Sequence, residues 1–301
     1  MAERLFNRGE EIFHQGDHGE TFYRIIDGTV GIYVNYSEGE EHKLTELTKG
    51  QYVGEMAVID SYPRSATAVA LEDGTKLQEV SENELNNFFS ESPDNIVSLM
   101  KYLSLRIRDL TKDYEDAVSV AETLNVAGRD TDELFDEKLK KYKYYAKANR
   151  GRMAKAEESA EAAREEKRSH SDGYAKRVEK YPKGTVICKE GETVECMYDL
   201  HWGCVGIYKN YGTPEQVLLT ELYSDSFFGE MGMISGEPRS ATAVSLDDET
   251  TVEIIYPEDF EELFEQNPPK VDMILRHLSS RLRKLTQQYE TVCAQIYDKL
   301  I

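Results

Sequence analysis

Apolar and polar residues alternate in short segments over the first part of the chain. Ile12 and then Val30, Ile32 and Val34 are apolar, and glycines fall between the segments where the chain must turn. Alternation of period two, interrupted roughly every 8 to 12 residues, predicts many short strands closing into a barrel or jelly roll. After residues 75–80 the period lengthens: Leu85, Phe88 and Phe89 follow helical spacing, and a long helix is predicted from near Pro93. Its apolar positions, Ile96, Met100, Leu103, Ile107, Leu110, Tyr114, Ala117, Ala121 and Leu124, advance by alternating steps of four and three. That is the heptad seam of a coiled coil.

The same succession then occurs a second time. Gly54-Glu55-Met56 returns as Gly229-Glu230-Met231, an offset of 175, and this offset also carries Pro63-Arg64-Ser65-Ala66-Thr67 onto Pro238-Arg239-Ser240-Ala241-Thr242. Without a gap it maps Gly28 onto Gly203 and Val30-Gly31-Ile32-Tyr33 onto Val205-Gly206-Ile207-Tyr208. A second seam follows through Val271, Leu275, Leu278, Leu282, Leu285, Tyr289, Val292 and Ile296. A fixed period of self-similarity identifies two copies of one domain. The expected fold class is mainly β with α: two β-rolls of the jelly-roll type, each followed by a long helix and joined by a helical linker. The expected limits are residues 1–125 and 181–301 for the two domains and 126–180 for the linker.

The linker is helix-prone, with a break and cap at Gly128-Arg129-Asp130-Thr131 and a third, weaker seam through Phe135, Leu139, Tyr142, Ala146, Asn149, Met153, Ala156, Ala160 and Ala163. Between Lys138 and Lys155 it is basic and free of acid, which reads as a solvated helix face near acidic β domains. Over the whole chain 36 basic residues face 57 acidic ones, for a net charge of −21. Such a field repels nucleic acid and anionic lipid. No apolar run approaches the roughly 20 residues of a membrane helix and the first residues lack a secretory layout, so a cytoplasmic protein without membrane contact is expected. The four cysteines Cys188, Cys196, Cys204 and Cys293 match neither zinc nor iron–sulfur spacing and read as buried apolar fillers. No metal or cofactor is expected, and no nucleophile motif marks an enzyme.

Chemistry gathers where the repeat is strictest. In each copy a glycine opens the motif, a glutamate follows, and an arginine stands nine residues after the glutamate: Gly54, Glu55 and Arg64, then Gly229, Glu230 and Arg239. A guanidinium is a planar fork matched to two oxygens of a phosphate, whereas a fixed carboxylate accepts from sugar hydroxyls. Small residues such as Gly54, Ala57 and Gly232 let backbone amides approach the anion. The ligand so described has an anion and a hydroxyl close together. At Gly54-Glu55-Met56-Ala57 with Arg64-Ser65-Ala66-Thr67, and at Gly229-Glu230-Met231-Gly232 with Arg239-Ser240-Ala241-Thr242, the sequence resembles the phosphate-binding cassette of the cyclic nucleotide-binding domain family.

That resemblance implies an eight-stranded β-roll with following helices, Glu55 and Glu230 on a ribose 2′-hydroxyl, and Arg64 and Arg239 on a cyclic phosphate. It implies Gly54, Met56, Ala57, Ser65 and Ala66 around the first ligand, and Gly229, Met231, Gly232, Ser240 and Ala241 around the second. From relatives of the bacterial catabolite activator type it implies base contacts by Thr111 and Thr286. Asp60 and Glu237 add acid inside the cassettes, and Ser61 replaces the glycine kept as Gly236. The leading expectation is a non-catalytic receptor for a cyclic mononucleotide, cyclic AMP before cyclic GMP, that relays binding as a rearrangement of barrel and helix to a protein effector. A Crp-type transcription regulator is the alternative, but only about 11 residues follow Glu290, too few for a helix-turn-helix. A structural module with degenerate sites is another. Kinase regulatory subunits also carry tandem nucleotide domains, with an inhibitory segment ahead of the first barrel, which here begins near Phe6. The seams are expected to pair within one chain, as a pseudo-dimer with a three-helix core, or between chains, as a homodimer.

Overall fold

The computed structural model describes residues 1–37, 41–92, 94–127, 142, 145–146 and 175–300. Most of the expected linker helix therefore lies outside the described residues. The chain divides into two compact units. The first takes residues 1–91, 106–168 and 279–301, and the second takes 92–105 and 169–278. Each unit holds one barrel and a part of both long helices.

In the first unit eight strands form two four-stranded antiparallel sheets. One orders β1 (Ala2–Phe6), β8 (Thr75–Ser81), β3 (Thr21–Asp27) and β6 (Tyr52–Val53); the other orders β2 (Glu11–Phe13), β7 (Thr67–Ala70), β4 (Thr29–Val34) and β5 (His42–Thr48). Alternation puts Phe6, Ile12, Ile25, Val30, Val53, Ala68 and Leu77 into one buried core between the sheets. That is the two-sheet roll the periodicity predicts. A short helix α1 (Glu55–Ile59) interrupts the strands, and α2 (Leu85–Glu91) and α3 (Asp94–Ala127) follow them. The seam reads out as expected along the last part of α3: Ala117, Val120 and Ala121 are buried together with Tyr142 and Ala146 of the linker and with Tyr289, Cys293 and Ile296 of the second copy's long helix, α6 (Pro268–Leu300). The two long helices thus pair within one chain. Tyr145 packs edge-on against Tyr289 at 4.6 Å between ring centroids. Burial pushes the Tyr145 hydroxyl up to about 12, and nearby Asp113 adds to the shift.

The second unit repeats the roll. Its sheets order β14 (Ser226–Phe228), β11 (Met197–Trp202), β16 (Thr250–Ile255) and β9 (Val178–Tyr181), and β10 (Val186–Cys188), β15 (Thr242–Ser245), β12 (Cys204–Lys209) and β13 (Val217–Tyr223). Helices α4 (Glu230–Ser235) and α5 (Phe260–Gln266) correspond to α1 and α2. All four cysteines are buried and none forms a disulfide. A buried charged group sets this barrel apart from the first. Asp199 of β11 and Glu253 of β16 are buried beside the ammonium of Lys270, itself 2% exposed, from the first turn of α6. His201 Nε2 lies 3.2 Å from Asp199 and 3.3 Å from Glu253. The first copy has Arg24, Ile26, Gln78 and Asn95 at these positions.

Hydrogen bonds to Asp199 and Glu253 raise His201 to about 9. Burial alone would raise Asp199, but the bonds from His201 and Lys270 outweigh it and hold the carboxyl below its ordinary value. With His201 charged, two cations balance two carboxylates. Because the folded pKa lies above the ordinary value of 6.5, this stabilisation is complete below pH 6.5 and is lost as pH rises through about 9. Thermal unfolding followed from pH 6.5 to 9.5 is expected to lose about 1–2 kcal/mol through this group, discounted for the half-buried ring. His201→Gln should flatten that part of the profile.

Candidate ligand sites

Two turns of backbone govern both sites. Gly54 and Gly229 end a strand and start a short helix with φ of +81° and +75°, values that L side chains rarely adopt. A Cβ on Gly54 would lie 2.5 Å from Nη1 of Arg64, and one on Gly229 would lie 2.6 Å from Nη1 of Arg239. The glycine is needed twice over, for its dihedral and for the guanidinium packed on it.

Each arginine is buried, at 5% exposure for Arg64 and 4% for Arg239. Arg64 donates through Nη1 to the Gly54 carbonyl (2.6 Å) and through Nη2 to the Thr21 carbonyl. Arg239 repeats this, through Nη1 to Gly229 and through Nη2 to the Cys196 carbonyl at 2.6 Å. Each guanidinium also lies over an aromatic ring, Phe13 at 4.3 Å in the first barrel and Tyr198 at 5.5 Å in the second. Tyr198 in turn stacks on Phe228. The nitrogen left without a hydrogen bond is Nε. In both copies it is buried and has no acceptor among the described residues. A buried cationic donor without an acceptor is costly, and both copies carry one at the equivalent position.

The glutamates are as deep, Glu55 and Glu230 both at 1% exposure. Burial raises the Glu55 carboxyl, against the pull of the Arg106 guanidinium, which donates to it at 2.6 Å from α3. The structure brings Gly54, Glu55, Met56 and Ala57 onto one turn, with the Arg64 guanidinium packed on Gly54, and leaves Ala66 buried and Ser65 exposed. Gly229, Glu230, Met231, Gly232 and Arg239 are arranged alike, with Ser240 exposed and Ala241 half-buried. Thr111 and Thr286 turn their hydroxyls back onto the carbonyls of Ile107 (2.7 Å) and Leu282 (2.8 Å) of their own helices. A cavity of about 430 Å³ on the second barrel, lined by Lys189, Glu190, Asn210 and Tyr211 among others, includes none of Gly229, Glu230 and Arg239. The cluster of Asp199, His201 and Glu253 brings three possible ligand atoms within 4.8 Å of one another, but Lys270 already supplies its positive charge.

Reading apolar seams missed the polar residues on the same helices. Asp60, at the end of α1, is not a free acid inside the cassette. Arg283 of α6 grips it with Nε at 3.1 Å and Nη2 at 2.8 Å, and Ser279 donates to it at 3.0 Å. The same guanidinium covers Tyr62 at 4.2 Å. A signal was present: the 175-residue offset maps Ser104, Arg106 and Arg108 onto Ser279, Arg281 and Arg283. The partner side is not duplicated, because Ser235 stands at the position of Asp60. Arg283→Met is expected to destabilise the first unit by about 1–3 kcal/mol in urea denaturation. A double-mutant cycle with Asp60→Asn should return a coupling of about 1–3 kcal/mol.

The model of the cyclic nucleotide-binding domain family matches residues 3–92 and again 178–267, together more than half of the chain. A cAMP-dependent protein kinase regulatory subunit of Debaryomyces hansenii is 27% identical over 248 residues, 82% of this chain and 42% of that protein. The cyclic AMP receptor protein of Thermus thermophilus is 40% identical over 73 residues, 24% of this chain and 34% of that protein. The chain thus spans less than half the length of either relative. Among solved structures, the regulatory domain of Toxoplasma gondii PKA with cAMP aligns at 19% identity over 87% of this chain and 80% of that one, with a TM-score of 0.28.

Proposed function

This chain belongs to the cyclic nucleotide-binding domain family, of which it carries two copies, and from that premise we propose that it is a non-catalytic cyclic AMP receptor with two ligand sites. The observation that carries the reading is the matched pair of buried arginines, each held by two carbonyls and each keeping one buried Nε–H without an acceptor among the described residues. A cyclic phosphate would supply that acceptor, and Glu55 and Glu230 would accept from the ribose 2′-hydroxyl. The regulatory subunit of Debaryomyces hansenii and the receptor of Thermus thermophilus are both named for cyclic AMP, which favours that base over cyclic GMP. Thr111 and Thr286 are proposed to reach the base after releasing their intrahelical bonds.

The output is a change in how barrel and long helix engage, passed to a protein effector. In the first unit the link is direct: Glu55 is tied to α3 by Arg106 and Asp60 to α6 by Arg283. A ligand that draws on Glu55 competes for the same carboxylate as Arg106, so binding and helix position are coupled. A protein kinase catalytic subunit is the partner class that the regulatory-subunit relative favours.

Isothermal titration with cyclic AMP should show up to two sites. Arg64→Ala and Arg239→Ala should each weaken one site by about 10- to 150-fold, the loss of a charge-assisted bond worth about 1.5–3 kcal/mol. No heat and no thermal shift with millimolar cyclic AMP or cyclic GMP would overturn the reading.

A further inference from the structure

The second barrel carries apolar residues on an exposed strand edge where the first carries polar ones. Strand β13 is the outer strand of its sheet, paired to β12 on one side and to no strand on the other among the described residues. An open strand edge offers a row of backbone donors and acceptors to another chain, and proteins commonly blunt such edges with charge. Here Val217 is 53% exposed, Leu218 44%, Leu219 53% and Tyr223 59%. Trp202, the single tryptophan of the chain, is 68% exposed two residues before Cys204, the register partner of Tyr223.

The first barrel is an internal control. Strand β5 pairs with β4 in the same register and with the same irregularity as β13 with β12, so the backbones are equivalent. At the matching positions β5 carries His42, Lys43 and Thr48 where β13 has Val217, Leu218 and Tyr223, and Asp27 stands where Trp202 does. Lys43 of β5 pairs with Glu46 at 2.5 Å, a charged edge. Four polar residues in one copy are apolar in the other on one unchanged scaffold. Folding does not require those apolar residues, since the first barrel forms without them.

We propose that β13 is a self-association surface, on which a second copy of this chain adds its own β13 antiparallel across a two-fold axis at Thr220. The strand's sequence fits itself in that register. Counted along the strand, Val217 faces Tyr223 of the second copy and Leu218 faces Leu222, while Leu219, the extra residue of the bulge against β12, stands beside Glu221. The one charge of the strand, Glu221, then lies opposite leucine rather than its own duplicate, and the Tyr223 hydroxyl already donates to it at 2.7 Å. Applied to β5, the same axis would bury Lys43 against Leu47. The net charge of −21 per chain opposes the pairing at low salt, so the contact should tighten as ionic strength rises. A basic partner would instead bind more weakly.

Sedimentation equilibrium of the full chain from about 5 to 200 μM, at 0.05 and 0.5 M NaCl, tests this, with Trp202 emission as a local reporter. The expected result is a mass rising from 34.4 kDa towards twice that value, more readily at high salt, with a blue shift of the tryptophan. The variant Leu218→Lys with Tyr223→Thr, which restores the first copy's residues, should weaken dimerisation at least about tenfold while leaving the thermal midpoint within a few degrees. A wild-type mass that stays at one chain throughout overturns the proposal. So does a dimer that the variant forms equally well, which would place the contact elsewhere. A tryptophan shift with a lysine-rich strand-forming peptide, weakened by salt and without self-association, also overturns it and assigns the edge to a basic partner.

Discussion

A buried guanidinium with too few protein acceptors is the constraint from which the rest of each barrel follows. Two of its nitrogens are committed to carbonyls, one on the glycine that opens the short helix and one at the start of β3 (Thr21) or just ahead of β11 (Cys196). Those bonds fix the path of the cassette before any ligand arrives. They also explain the glycine, since a side chain there would overlap the guanidinium itself. The aromatic ring under each arginine does the remaining work, giving the cation a face to rest on where water is excluded. The ring need not come from the same strand: Phe13 lies in β2 and Tyr198 in β11, the second copy's counterpart of β3. The two copies meet one physical demand with different residues.

Much of this architecture was legible in the sequence. The two-residue alternation and the glycines at Gly28 and Gly203 specify short strands, and the gapless offset fixes that whatever fold one copy has, the other shares. The heptad positions Ala117, Ala121, Tyr289 and Ile296 announced a paired helix, and the structure finds them in one cluster with Tyr142 and Ala146. The candidate residues Glu55, Arg64, Glu230 and Arg239 were visible because their chemistry is unusual for a barrel interior and because it occurs twice.

The rest was hidden for a stated reason. Hydrophobic periodicity says which face of a helix is buried and is silent about polar residues at its margin, so Arg106 and Arg283 passed unnoticed although they donate to Glu55 and Asp60. Carbonyl acceptors such as those of Thr21 and Cys196 leave no trace in side-chain identity. The Asp199, His201, Glu253 and Lys270 group was invisible for the opposite reason. Its members are scattered over 72 positions, and only the pairing of β11 with β16 brings them to one place.

The grip of Arg283 on Asp60 has a further meaning for a duplicated chain. Two identical subunits related by a two-fold axis must carry every substitution twice, so a favourable change on one side is always accompanied by the same change on the other. A chain that holds both copies is released from that rule. It can place an aspartate at position 60 and a serine at 235 while keeping both arginines, so the carboxylate that Arg283 grips has no counterpart of the same chemistry in the second cassette. Fusion thereby lets two copies of one fold differ residue by residue, which two identical subunits cannot do.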